Sequence, residues 1–213
     1  MPLGDFFKIT SPKADACLTV YKGHFATSHS HMNYFLDVAS NKASFREAKA
    51  IAAFLAENYK YSVNVDTVLC LDNTEVIGAF LAEELSAQDR FHVNAGKNVC
   101  VLTPEHISGS QLYFRDNTSV MIKDKSVLIL AASVVTGYTA QSAVEAVAYY
   151  GGAAVGISSV FSRIGECEGL PVHSVFGSND LPDYFMSPAH TCPLCAEGKR
   201  LDALVNTFGC SEI

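Results

Sequence analysis

Ser126-Val127-Leu128-Ile129-Leu130-Ala131-Ala132-Ser133-Val134-Val135-Thr136-Gly137-Tyr138-Thr139 is the stretch on which the fold turns. Five residues that suit a strand buried on both faces run through a small-residue segment into Thr-Gly-Tyr-Thr. The pattern then changes period. Ala140, Ala143, Val144, Val147 and Ala148 fall on one helical face, and Gly151-Gly152 stops that helix before a further apolar run from Ala153 to Val160. Strand, polar turn, helix, strand is one βαβ unit, and the turn stands at a helix N-terminus. There, unpaired backbone N–H groups and the helix dipole favour an anion, and the Thr136 and Thr139 hydroxyls add donors. A phosphate monoester fits that chemistry; a plain capping turn is the alternative.

Working back from this unit, Thr67-Val68-Leu69-Cys70-Leu71 reads as a second buried strand. Asp72-Asn73-Thr74 then offers capping oxygens to a helix bearing Ile77, Phe80, Leu81 and Leu85. A third strand is expected over Asn98 to Leu102. The polar stretch from Thr103 to Lys125 has little helical periodicity and is read as a flap or a hairpin. Nearer the N-terminus, residues 17–37 alternate around Ala26-Thr27-Ser28-His29-Ser30, giving two short strands joined by a turn. After Ser40-Asn41, which can cap, Phe45, Ala48, Ala52 and Leu55 form the apolar face of a helix ending near Asn58. Alternating strands and helices call for a mostly parallel sheet flanked by helices, with ligands at the carboxyl ends of the strands. The loops after Leu71, Leu102 and Leu130 are the places to look for a site.

The chain has 213 residues, 49% of them apolar, enough for one α/β core with trimmings. A formal net charge of -7 and the lack of Lys/Arg clusters argue against a nucleic-acid partner. Residues 1–10 hold no basic segment followed by an apolar stretch, and no run approaches the ~20 apolar residues of a membrane span, so the expected location is the cytoplasm, with no membrane partner. Seven cysteines scattered through apparent strands suit reduced core thiols. Cys192 and Cys195 are separate, because Cys-x-x-Cys is half of a tetrahedral zinc site. Cys210 and His190 are the expected completing ligands, with Cys167 and His173 as other candidates, and a thiol turn docking the tail is the alternative. A redox role is disfavoured, since the pair does not lie at a strand-to-helix junction.

The segment from Val127 to Phe161 resembles the phosphoribosyl diphosphate (PRPP) motif of type I phosphoribosyltransferases, a hydrophobic strand, two acidic residues, small residues, then Thr-Gly-x-Thr or Thr-Gly-x-Ser opening a helix. Gly23, Phe25, Thr27, Ser28, His31, Tyr34 and Asp37 are similar in order and spacing to a pattern near the N-terminus of orotate phosphoribosyltransferases. The resemblance covers about residues 17–165. It implies a type I phosphoribosyltransferase fold over residues 1–165, residues 1–40 including a small N-terminal hood, with residues 166–213 as a Cys-x-x-Cys attachment packed on the same domain.

The same resemblance implies a phosphorylated ribose or nucleotide as ligand. Its phosphate would lie on Ser133, Val135, Thr136, Gly137, Tyr138 and Thr139, with a diphosphate loop at Asp72, Asn73 and Thr74, a flexible loop including Thr103 and His106, and a base site drawn from Phe25, Ser28 and Tyr34. Mg²⁺ would assist any transfer, and a homodimer is implied, since in orotate enzymes one subunit's loop serves its neighbour.

Three departures weaken the catalytic expectation. Ala131 and Ala132 stand where the family has the acids that hold the ribose hydroxyls. The flexible-loop segment from Val101 to Gly109 has no Lys or Arg to neutralise departing diphosphate, leaving Lys97, His106 and Arg115 to compensate. Asp72 and Glu75 make the diphosphate loop acidic, which repels that ligand; the carboxylates would suit hydrated Mg²⁺, and Asp72 is expected to cap the helix. The expectation is a binding protein with weak or no transferase activity, or else a nucleotide-sensing or structural subunit.

Overall fold

The computed structural model describes residues 4–107 and 111–213. The strands are β1 (Phe6–Ser11), β2 (Ala16–Ala26), β3 (His31–Asp37), β4 (Thr67–Cys70), β5 (Cys100–Leu102), β6 (Glu105–Ile107), β7 (Gln111–Tyr113), β8 (Ser126–Val134), β9 (Ala153–Ser162), β10 (Glu166–Cys167), β11 (Leu170–Gly177), β12 (Met186–Ser187), β13 (Ala203–Asn206) and β14 (Gly209–Glu212). The helices are α1 (Ala39–Ala43), α2 (Phe45–Ala56), α3 (Glu75–Ser86), α4 (Asp116–Ser119), α5 (Tyr138–Tyr149) and α6 (Pro193–Ala196). None of the described helices is long and apolar enough to cross a membrane.

The central sheet runs β10-β11-β9-β8-β4-β5. All its pairings are parallel except the antiparallel β10 at one edge. Side chains along β4 and β8 alternate between two cores, as a strand covered on both faces requires. Val68, Cys70, Leu128 and Leu130 join Ile51 and Leu55 of α2 and Ile77 and Leu81 of α3 on one face. Leu69, Val127, Ile129 and Ala131 meet Ala140, Ala143 and Val147 of α5 on the other, with Leu112 and Phe114 of the β7 arm. Ala148, expected on that same helical face, is exposed.

A second sheet, β12-β3-β2-β13-β14 with β1 on β2, forms the hood. It differs from the expected N-terminal hood in being built from both ends of the chain: β13 pairs in parallel with Phe25 and Ala26, and β12 adds antiparallel to His31 and Met32. The boundary at residue 165 is also corrected. Residues 170–177 form a parallel strand of the central sheet against β9, so only the chain beyond Gly177 departs from the core to reach the hood. The long stretch after Leu102 is a hairpin, β6 with β7, followed by the single-turn α4. Ser40 and Asn41 do not cap α2: both lie inside α1, and Asn41 is buried with its amide donating to Cys17 O and Glu47 Oε2.

Tyr59, beyond the end of α2, fixes that helix to the sheet. Its hydroxyl donates to Ile157 O at 3.1 Å and accepts from Ser158 Oγ at 2.9 Å, all within the core, and burial pushes its pKa up to about 12, so it remains a neutral donor. Gly156 leaves room for the ring, since a Cβ there would stand 2.7 Å from Tyr59 Cε1. Tyr59→Phe is expected to cost about 1–3 kcal/mol by leaving the Ile157 carbonyl and the Ser158 hydroxyl short of a partner, and Gly156→Ala to destabilise through the ring clash. Urea unfolding of both variants, read as a lowered midpoint at unchanged slope, checks this.

Candidate phosphate site at the sheet's switch point

Strand order β5-β4-β8-β9-β11 reverses direction between β4 and β8. The helix after β4 therefore packs on one face of the sheet and the helix after β8 on the other, and a crevice opens where they part. The loops flanking this crevice are Leu71 to Thr74 and Ser133 to Gly137.

Ser133 to Thr139 takes the geometry expected of it. Gly137 stands just ahead of the 12-residue α5 with φ +83°, a left-handed conformation that glycine adopts without strain. A Cβ at that position would also come within 3.1 Å of Ile164 Cδ1. The Gly137 carbonyl accepts from Gln141 N at 2.8 Å and from the Cys167 thiol at 3.7 Å. Val134 O accepts from the Arg163 amide at 2.9 Å and from Ser162 Oγ at 3.0 Å, tying the end of β8 to the end of β9. Thr136, Tyr138 and Thr139 are exposed at the mouth of the helix. A recess of about 120 Å³ is lined by Ser133 to Ala140 and by Met186, which β12 carries over from the hood.

The loop after β4 is built differently from the capping turn that the sequence suggests. Asp72 and Asn73 both have positive φ, +55° and +60°. Asp72 does not cap α3: its Oδ2 accepts from the Ala132 amide at 3.3 Å, across the crevice. Thr74, at the N-cap position, turns its hydroxyl inward to Leu71 O and Leu130 O at 2.8 and 3.2 Å. A carboxylate from β4's loop thus bonds the backbone of Ala132, one of the two alanines standing where the family carries acids. Burial pushes the Asp72 carboxyl above its ordinary range, against the lowering effects of the Ala132 amide, Lys42 and His106.

Lys42 is a residue that sequence reasoning missed. Its ammonium donates to Asp72 O at 2.9 Å and Thr207 O at 2.8 Å, bringing a cation from α1 to the crevice, and burial lowers its pKa despite Asp72, Glu75 and Asp37 nearby. No local pattern marks it, since α1 itself is a five-residue turn without apolar periodicity. Arg163 is the second such residue, placed beside the loop by its amide bond to Val134 O.

Other expected residues are not gathered here. Lys97 bonds Asp66 Oδ1 at 3.1 Å, ahead of β4 and so at the amino end of the sheet, which removes it as a compensating cation. Arg115 is held by Glu105 in two hydrogen bonds of 2.8 and 2.7 Å across the β6–β7 hairpin. Thr103 donates to Glu75 Oε1 at 3.0 Å, while His106 is exposed on β6. Ser108 and Gly109 of the expected flexible loop lie outside the described residues. The three base-site residues do not converge: Phe25 is buried in the hood core against Phe35, Ser28 is exposed in the β2–β3 turn, and Tyr34 packs on Phe7 and Tyr184. Cys192 and Cys195 meet neither Cys210 nor His190; His24 and His31 stand beside them instead.

No protein-family model and no curated protein sequence matches the chain. Solved structures do match. Orotate phosphoribosyltransferase of Mycobacterium tuberculosis H37Rv aligns at 20% identity over 77% of this chain and 92% of its own, with a TM-score of 0.53. A phosphoribosyltransferase from Corynebacterium diphtheriae aligns at 19% identity over 76% and 90%, TM-score 0.52. Adenine phosphoribosyltransferase of Trypanosoma brucei, solved with AMP, pyrophosphate and ribose-5-phosphate, aligns at 15% identity over 78% of each chain, TM-score 0.55. Parallel sheet, crossover helices, Thr-Gly-x-Thr turn and hood together with these likenesses establish that the chain has the fold of the type I phosphoribosyltransferases.

Proposed function

We propose that this protein binds a phosphorylated ribose or a nucleotide, with the 5′-phosphate on Ser133 to Thr139, and transfers phosphoribosyl groups weakly or not at all. The observation that carries this reading is the left-handed Gly137 turn opening α5 at the switch point, with the Thr136 and Thr139 side chains exposed at its mouth. Backbone N–H groups at a helix N-terminus, two hydroxyls and a small recess suit a phosphate monoester.

Transfer needs more than this. Phosphoribosyl transfer develops positive charge on the ribose and negative charge on departing diphosphate, and both must be stabilised. Ala131 and Ala132 are buried and supply only backbone, while the Arg115 guanidinium is already paired to Glu105. Mg²⁺ fits the residues only in part, because Asp72 offers a carboxylate at the crevice and the two alanines offer none. When bound, the ion would neutralise diphosphate; the chain's own contribution is to hold the phosphate and orient the sugar. The half-buried ammonium of Lys42 reaches the loop after β4, and both of its described partners are carbonyl oxygens.

A second reading, a nucleotide-sensing or structural subunit without turnover, is favoured by the same two alanines. A cytoplasmic homodimer, each subunit's β6–β7 hairpin reaching its neighbour's crevice, accords with either reading. The fold does not select the base, because both orotate and adenine enzymes share it.

Calorimetric titration with ribose 5-phosphate, PRPP, orotidine 5′-phosphate and AMP, followed by assay for diphosphate release, tests the reading. Saturable binding of at least one phosphorylated ribose is expected, weakened about tenfold by Thr136→Ala or Thr139→Ala through loss of a charge-assisted hydrogen bond. Unchanged binding in both variants would remove the phosphate from this loop. Asp72 provides an independent check. When ionised its carboxylate repels diphosphate, and because burial raises its pKa, it takes up a proton at higher pH than an ordinary Asp as the solution is acidified. Asp72→Asn should therefore bind PRPP roughly three- to tenfold more tightly than wild type while the wild-type carboxylate is ionised, and the difference should shrink as pH is lowered.

A further inference from the structure

The four side chains His24, His31, Cys192 and Cys195 converge beside the β2–β3 turn, with their ligand atoms all within 4.8 Å of one another. His24 Nε2 stands 3.1 Å from His31 Nδ1 and 3.4 and 3.7 Å from Cys192 Sγ and Cys195 Sγ, and Cys195 Sγ is 3.2 Å from His31 Nδ1. In a tetrahedral site with Zn–S near 2.3 Å and Zn–N near 2.0–2.1 Å, ligand atoms stand roughly 3.3–3.8 Å apart. These four separations match that spacing to within a few tenths of an ångström, and the remaining two pairs lie within 4.8 Å.

Each ligand is placed by local structure. Thr27 Oγ1 accepts from the Ser30 and His29 amides and donates to Ser30 O, closing the β2–β3 turn so that Ala26 faces His31. In that register Phe25 and Met32 point into the core, while His24 and His31 share the opposite face. The register shifts between Lys22 and Phe25, so a bulge at Gly23-His24 re-aims the His24 ring. Cys192 and Cys195 flank the first turn of α6, with Pro193 at its start, and that turn closes with Gly198 in a left-handed conformation.

The surroundings are those of a metal site. His24 Nδ1 stands 3.0 Å from Lys199 O, a contact that requires the proton on Nδ1 and so leaves Nε2 as the lone-pair nitrogen facing the cluster. His24 and Cys192 are each 2% exposed. Two thiolates and two neutral imidazoles around a divalent cation form a neutral unit, which suits the buried His24 and Cys192, while His31 is half-buried and Cys195 exposed at the rim; four protein ligands leave no open coordination position, as in structural rather than catalytic sites. S₂N₂ tetrahedral ligation selects zinc over harder cations.

We propose that His24, His31, Cys192 and Cys195 bind one structural Zn²⁺, which clamps the β2–β3 hairpin to the C-terminal segment. The thiols lose their protons on binding and the imidazoles ligate as neutral groups, so no redox partner is needed. This site is independent of the phosphate reading, and either can fail without the other.

Metal analysis of untagged protein, expressed in zinc-supplemented medium and purified without chelator, is the test. About one zinc per chain is expected, falling below about a tenth in His31→Ala and Cys195→Ser and unchanged in His190→Ala and Cys210→Ser. Removing the zinc should lower the thermal midpoint, and adding Zn²⁺ back should restore it. If the ligand variants do not fold, Co²⁺-substituted wild type decides: strong tetrahedral d–d bands with thiolate-to-metal charge transfer support the site. A weak six-coordinate spectrum, wild-type protein free of zinc, zinc retained by both ligand variants, or iron in place of zinc would each overturn it.

Discussion

Everything at the candidate phosphate site depends on the parallel pairing of Thr67–Cys70 with Val127–Leu130. These two strands are adjacent in the sheet, yet their following helices leave toward opposite faces. No helix can cover the seam between them, so the carboxyl ends of β4 and β8 stay open and their loops face each other across a gap. The buried alternation of both strands fixes the register: a slip of one residue would turn Leu69 and Ile129 into the core of Val68 and Leu128. The position of Gly137 is thereby set by apolar packing several residues upstream of it.

Across that gap the electrostatics differ from what the resemblance implies. Acids are absent from the end of β8, while a single carboxylate arrives from the other side and accepts from the Ala132 amide. Cations are similarly displaced. Arg115 is bound to Glu105, Lys97 belongs to the far end of the sheet, and Lys42 comes in from the short α1. The fold, with its turn opening α5 at the switch point, is that of the type I phosphoribosyltransferases, whereas among the described residues the charges that a transfer would need are rearranged or missing. Geometry of the first kind is set by backbone and core; charges of the second kind rest on single side chains, which can change without disturbing the fold.

The legible parts of the sequence were those with a period. The β8 run, the Thr-Gly-Tyr-Thr turn and α5 could be read because burial on both faces and a 3.6-residue repeat leave plain patterns, and β4 and α2 for the same reason. β11 is not legible because Gly169, Pro171 and Gly177 look like loop chemistry, although Pro171 stands ahead of the residues that pair with β9, where the ladder tolerates it. Asp72 looked like a cap because the one-dimensional context, polar residues before a helix, contains no sign of the Ala132 amide sixty positions away. Cys-x-x-Cys reads as half of a zinc site, with Cys210, His190, Cys167 and His173 as its candidate complements, whereas the structure sets His24 and His31 beside it. The turn at Thr27 does carry the missing signal: pairing of Ala26 with His31 puts His24 and His31 on one face.

The hood's dual origin bears on how the chain is made. Phe25 and Ala26 wait for Ala203 and Leu204 as neighbours, and Met32 for Met186. During synthesis from the N-terminus, β1 to β3 exist as a bare meander until β12 and β13 have emerged, with the free edges of β2 and β3 unpaired and Phe25 uncovered. The parallel core, whose last strand ends at Gly177, can assemble earlier. Contacts of such long sequence separation form late and slowly, because the loop they close must be ordered before they repay it. Strands late in the chain therefore complete the sheet that its earliest strands begin.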